Sequence, residues 1–177
     1  MDPKTKTRTV SFRVPEDTIS DIEREAKIKL VSTNVLINQI LSKYVAWDKY
    51  EHKMRMFAIP EEIFHNIIDG LDDTHRRETV ELAYHSIRDW ALLSKKKFDI
   101  HSCLQVLEDY CRIVGISVDE NISSGTRSFV IRHNLGRNLS LFIDDLVEKI
   151  FLDLVKIRVD SQITNSTIVI TLRSKLD

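Results

Sequence analysis

The sequence predicts an α+β protein: a strand, two helices, a helical middle, then a strand-strand-helix-strand-strand domain. Three observations predict it. Residues 9–14 alternate apolar and polar side chains with the period of a strand. From Glu16 to Val114 apolar residues recur at helical spacing, and after Gly115 short alternating runs and turn signals frame one more long helical stripe.

The first element is Thr9–Val14, where Val10, Phe12 and Val14 share one face and Thr9, Ser11 and Arg13 the other. Pro15 ends it, and Glu16 and Asp17 put acids where a helix dipole favours them. Ile19, Ile22, Ala26 and Leu30 continue as a helical stripe, Val31-Ser32 interrupts it, and Ser32 is a good N-cap for a second helix from about Thr33 to at least Tyr44. Along that helix Val35, Leu36, Ile37, Ile40, Leu41, Tyr44 and Val45 cover too wide an arc for a lone surface helix. A module of about fifty residues is marginal by itself, so dimerisation is the simplest way to bury this surface.

Residues 46–58 carry Trp47, Tyr50 and several charges with neither Gly nor Pro before Pro60, and either extend the second helix or form a stiff linker. Pro60-Glu61-Glu62 starts a helix faced by Ile63, Phe64, Ile67 and Ile68; Asp73–Ser94 and Asp99–Val114 read as two more. Beyond Gly115, strands are predicted at Ile116–Val118, Ser128–His133, Lys156–Ile163 and Thr167–Arg173. A helix lies between them from Asn138 to Val155, and turns at Ser123-Ser124-Gly125 and Thr164-Asn165-Ser166 complete the pattern. The expected domains are therefore 1–50, a dimeric arm; 51–58, a linker or helix extension; and 59–177, an α+β domain.

The arrangement of strand, helix, turn and helix in residues 7–45, TRTVSFRVPEDTISDIEREAKIKLVSTNVLINQILSKYV, resembles the ribbon-helix-helix superfamily of DNA-binding repressors. It covers about a quarter of the chain. The resemblance implies that strands of two chains pair antiparallel and enter the major groove of double-stranded DNA. Base contacts would then fall to Thr9, Ser11 and Arg13. The dimer core would comprise Val10, Phe12, Val14, Leu36, Ile37 and Ile40. Backbone phosphates would meet Ser32, Thr33 and Asn34 at a helix start, with Lys4, Lys6 and Arg8 adding sequence-independent contacts. The chemistry fits these positions, because Arg can donate two hydrogen bonds to guanine, and Ser and Thr can bond several bases. One departure concerns the turn between the helices, where the family often carries Gly and this chain has Lys29-Leu30; Leu30 must then adopt a left-handed conformation or the turn must differ.

Composition narrows the remaining classes. With 42% hydrophobic and 30% charged residues the chain can bury a core, and its net charge of -1 does not by itself point to a polyanion partner. The local excess of Lys4, Lys6, Arg8 and Arg13 over Asp2 does. No run of about eighteen apolar residues exists to span a membrane. Cys103 and Cys111, on one predicted helix, are separated by about 12 Å of helical rise, too far for a disulfide. Reduced thiols and a cytoplasmic location are expected.

No Gly-rich phosphate loop, nucleophile elbow or HExxH motif is present, and enzymatic activity is not expected. The histidines His52, His65, His75, His85, His101 and His133 are scattered. His101-x-Cys103 with Cys111 is the nearest approach to a metal cluster, but residues two apart on a helix face different ways, so neither metal nor cofactor is expected. The acidic pairs Glu61-Glu62 and Asp72-Asp73 sit at helix starts and suit the dipole, while Trp47 and Trp90 read as packing or interface residues.

Arg132-His133-Asn134-Leu135-Gly136-Arg137-Asn138 joins a strand to a long helix. Arg132, His133 and Arg137 there could hold a small anionic effector or a partner's carboxylate; the plainer reading, a strand-to-helix turn capped by Asn134 or Asn138, is preferred. The sequence thus points to a homodimeric, sequence-specific transcription regulator, able to form higher oligomers. The alternative is an antitoxin-like or other protein-interaction module that uses its N-terminal arm for dimerisation.

Overall fold

Capping chemistry delimits most of the helices in the computed structural model, which describes residues 7–56, 58–123 and 126–172. The chain divides into two units, Met1–Val45 and Ala46–Asp177. In the first, Pro15 fixes the entry to α1 (Glu16–Ile28), and Ser32 caps α2 (Thr33–Lys43) by accepting the Val35 N–H on its Oγ at 3.3 Å. Ala26 of α1 and Leu36 of α2 are the buried residues of this pair.

A π-helical stretch, Tyr44–Asp48, and the single turn α3 (Lys49–Glu51) follow α2 in sequence. The division falls after Val45, where the sequence put the first limit at residue 50. Trp47 and Tyr50 belong to the second unit because Trp90, Ala91 and Val106 offer them an apolar seat. Trp47 stacks on Trp90 with ring centroids 3.8 Å apart.

The second unit is an α+β domain. Behind Pro60, α4 (Glu61–Asp69) begins with Glu61 and Glu62 in its first turn. Asp72 caps α5 (Asp73–Trp90), which runs on into a π-helical stretch, Ala91–Lys95. Asp99 caps α6 (Ile100–Ile113) by accepting the Ser102 N–H at 2.8 Å. Gly115, at φ 76°, closes α6 as the Ile116 N–H returns to the Cys111 carbonyl at 2.8 Å. Strands β1 (Ser117–Ser123) and β2 (Thr126–Arg132) precede α7 (Gly136–Val155), and β3 (Asp160–Ile163) and β4 (Thr167–Leu172) close the fold.

All neighbouring strands are antiparallel, in the order β1-β2-β4-β3. Period two sends Phe129, Ile131, Ile168, Ile170 and Leu172 to one face, where Leu146, Val147, Ile150 and Phe151 of α7 meet them. Val80 and Tyr84 of α5 and Cys103 of α6 join this core. Fully burying such aliphatic and aromatic side chains is worth roughly 1.5–3 kcal/mol each, which makes this cluster the dominant stabilising feature of the unit.

Two strands differ in length from expectation. β1 extends to Ser123 although Asp119, Glu120 and Asn121 are poor strand formers. It is an edge strand, and its acids pair across to β2, Asp119 with Arg132 and Glu120 with Arg127. Conversely, β3 starts only at Asp160 because Lys156, at φ 57°, reverses the chain off α7. The predicted turn residues 124 and 125 lie outside the described residues, as does Arg173. The β3–β4 turn is built on Thr164, whose Oγ1 accepts the N–H groups of Ser166 at 3.2 Å and Thr167 at 2.9 Å.

Candidate nucleic-acid interface

The predicted reading strand is not a strand in the single chain. Residues 7–15 carry no regular structure, and Arg8, Thr9, Ser11 and Arg13 are all exposed. A strand requires a ladder partner for its backbone N–H and C=O groups, and the described residues of one chain supply none here. Val10 is 56% and Phe12 60% exposed, with Val14 also open to solvent. Lys4 and Lys6 lie outside the described residues.

The helical pair next to this segment is formed as expected, and its turn resolves the missing glycine. Leu30 occupies the left-handed region at φ 55°. Its N–H donates to the Lys27 carbonyl at 3.2 Å and the Val31 N–H to the Ala26 carbonyl at 3.0 Å, the two bonds of a Schellman motif. The side chain is 93% exposed, so no packing compensates the strain at this position. Beyond the turn, Ser32 and Asn34 are exposed and Thr33 is half-buried at the start of α2. The first N–H groups of a helix have no intrahelical acceptor, and this end therefore presents donors that an anion can take.

The six residues assigned to a dimer core separate into groups. Leu36 is 4% exposed and packs within its own unit, and Ile37 is half-buried, whereas Ile40, Val10, Phe12 and Val14 are exposed. Val35, Leu41, Tyr44 and Val45 are exposed as well, all of them in the wide apolar arc of the second helix. Ile28 adds an exposed apolar side chain at the end of α1, outside the helical stripe of Ile19, Ile22, Ala26 and Leu30.

The second candidate cluster is not gathered into an anion cradle. Arg132 is paired with Asp119 across the β1–β2 ladder. His133 is half-buried; the Leu135 N–H donates to its Nδ1 at 3.2 Å, so Nε2 carries the proton and donates to the Ser140 hydroxyl at 2.9 Å. Burial lowers its pKa, which favours the neutral ring. Arg137 is exposed. The start of α7 instead lies against α4. Asn138 donates its side-chain N–H to the Asp69 carbonyl at 3.0 Å, and a Cβ on Gly136 would come within 3.4 Å of an Asp69 carboxylate oxygen. The start of α7 is thus met by His65 and Asp69 of α4, residues of the chain itself. The Asp69 partner was illegible because it comes 69 residues earlier in the chain.

The remaining sequence candidates are structural. Asp72 accepts the Thr74 and His75 N–H groups at 2.9 and 2.8 Å, and its second oxygen meets His75 Nδ1 at 2.9 Å. The hydrogen bonds from His75 lower the Asp72 pKa, and the Asp72 carboxylate raises that of His75. Cys103 is buried and Cys111 half-buried; desolvation pushes both thiols up to about 11. Among the described residues no three His, Cys, Asp or Glu side chains are grouped to hold a metal ion, and no helix is long and apolar enough to cross a membrane.

Comparison of the sequence with known families and proteins places no relative beside it: no family model matches, and no curated protein is significantly similar.

Proposed function

We propose that this protein is a homodimeric, sequence-specific DNA-binding regulator that reads the major groove through a two-stranded ribbon of residues 9–14. One observation carries the reading. The segment 7–15, without regular structure of its own, exposes Val10, Phe12 and Val14, in a unit whose helices bury only Ala26 and Leu36. A second copy of the same segment supplies both what the backbone lacks, an antiparallel ladder, and what the apolar side chains lack, cover.

In such a ribbon the alternation fixes the roles. With Val10, Phe12 and Val14 turned to the helices, Thr9, Ser11 and Arg13 project to the base edges. Arg8, Lys4 and Lys6 contact phosphates, and the open start of α2 at Ser32, Thr33 and Asn34 anchors one more. The α+β unit serves oligomer contacts, effector sensing or partner recruitment. A cytoplasmic location, expected from two cysteines that are free of a disulfide, belongs to the same reading.

The test is selection of binding sites from a random duplex pool at two salt concentrations, with Arg13→Ala alongside. Enrichment of a paired or palindromic motif, relaxed in the variant by about 1–3 kcal/mol for a lost bidentate contact, supports ribbon readout. Binding without enrichment and with a steep salt dependence reduces the role to architectural contact. No binding leaves the arm as a dimerisation device of an interaction module.

A further inference from the structure

We propose that the cleft between α6 and β1 is a binding site for a small amphipathic organic cation, an amine carrying a short apolar tail. The inference is independent of DNA binding. Leu104, Leu107, Glu108, Cys111 and Arg112 fall at spacings of three and four on α6 and so share one face of the helix. That face lies over the edge of the sheet, where two adjoining hollows share Glu108 and Val118 as lining residues. The outer hollow, about 310 Å³, is bounded by Arg112, Ile116, Ser117 and Glu120. The inner one, about 50 Å³, runs under α6 between Leu107, Cys111, Phe129 and Ile143. Together they give a polar mouth over an apolar floor, at the small end of the range for metabolite sites.

The charges at the mouth decide the ligand's sign. Arg112 turns its guanidinium to Asp109 at 3.1 Å, and Asp109 also receives Lys95 at 2.8 Å. Glu120 is paired with Arg127. Glu108, half-buried and common to both hollows, makes no hydrogen bond or ion pair among the described residues. An anion entering here meets the Glu108 carboxylate, whose like charge repels it, while Arg112 beside it is already paired with Asp109. A neutral alcohol offers that carboxylate a single hydrogen bond and no charge. An ammonium head group answers it with charge-assisted hydrogen bonds while its tail displaces water from the apolar floor. The Cys111 thiol, held protonated by burial and by Glu108 itself, is a neutral wall for the tail and adds no competing charge.

A matched series tests the site on the full-length chain: pentylamine, pentan-1-ol and pentanoate, each titrated while backbone amide resonances are followed. Pentylamine is expected to shift Leu107, Cys111 and Val118 saturably and to bind at least about tenfold more tightly than the alcohol, the scale of one hydrogen bond to a charged group. Glu108→Gln keeps the side-chain shape and should level amine and alcohol; Leu107→Trp should block all three. The wild-type series needs no variant to fold. Equal affinity across the series, an amine preference that survives Glu108→Gln, or no saturable shift at the cleft would overturn the proposal.

Discussion

The ring of His133 hydrogen-bonds the hydroxyl of Ser140, at 2.9 Å, from the far side of a turn whose own Leu135 N–H it accepts. One imidazole thereby ties the end of β2 to the second turn of α7, and Ser140 is fully buried. The arrangement needs the neutral ring, since Nδ1 must accept. Burial lowers the His133 pKa from 6.5, so the folded state binds fewer protons than the unfolded state just below that value. Its contribution is complete above the unfolded pKa and declines as pH falls toward the folded one. Urea melts should show stability dropping as pH falls below about 6.5, and His133→Ala should flatten part of that slope. The same variant should cost roughly 1–3 kcal/mol at neutral pH, because it leaves the Ser140 hydroxyl buried without this partner. A slope unchanged by the substitution would assign the acid sensitivity elsewhere.

Leu30 offers a gain rather than a loss. A left-handed residue with a Cβ costs roughly 1–2 kcal/mol, while glycine brings about 0.5–1 kcal/mol of extra chain entropy to the unfolded state. Leu30→Gly should therefore stabilise the helical pair by about 0.5–1 kcal/mol, and Leu30→Ala should not, as it keeps the strain. Chemical melts at fixed protein concentration read this directly, because the proposed dimer would make apparent stability depend on concentration.

These two sites mark how far the sequence reached. The left-handed turn at Leu30 was foreseeable, because a missing glycine is a local signal. So were the caps at Ser32 and the helix starts after Pro15 and Pro60, which depend on neighbours within four residues. The roles of His133 and Asp69 were not, since each is set by side chains brought together through tertiary packing. The length of β1 was missed for a related reason: Asp119 and Glu120 oppose strand formation locally, and only their partners on β2 reverse that preference. Alternation in residues 9–14 predicted a strand, whereas residues 7–15 carry no regular structure, since no ladder partner stands beside them among the described residues.

The cap of α5 should be sensitive at both ends of a pH window. Asp72 has a lowered pKa, so its contribution exists above the unfolded value of 3.8 and is lost as pH falls through the folded one. His75 has a raised pKa, so its contribution is complete below 6.5 and is lost as pH rises through the folded value. The cap is strongest between these limits. Asp72→Ala should lower the melting midpoint more at pH 5.5 than at pH 8.5, a difference His75→Ala should remove. Both side chains are largely exposed, so salt should diminish the effect. Equal losses at the two pH values would restrict Asp72 to its backbone bonds.

Neither thiol should behave as a reactive cysteine. Burial raises both pKa values to about 11, which leaves little thiolate at neutral pH, and Cys103 is closed to solvent. An aromatic disulfide reagent at pH 8 should modify the native protein far more slowly than the urea-unfolded chain, with Cys111 reacting before Cys103. Rapid modification of either in the native state would contradict the packing of α6.

The Trp47–Trp90 stack predicts where the chain can be cut. Trp47 is 2% exposed and covers Trp90, Ala91 and Val106, although only one residue separates it from the end of the first unit. A fragment beginning at Ala46 retains that cover; one beginning at Ile59, where sequence alone put the boundary, leaves the Trp90 face bare. Removing a buried tryptophan costs roughly 3–5 kcal/mol, so the shorter fragment should melt well below the longer one. Trp47→Ala in the full chain should reproduce most of that loss. The two tryptophans are the only ones in the sequence, so the loss of their stacking on unfolding is readable by fluorescence. Fragments of equal stability would return residues 46–56 to the role of a linker.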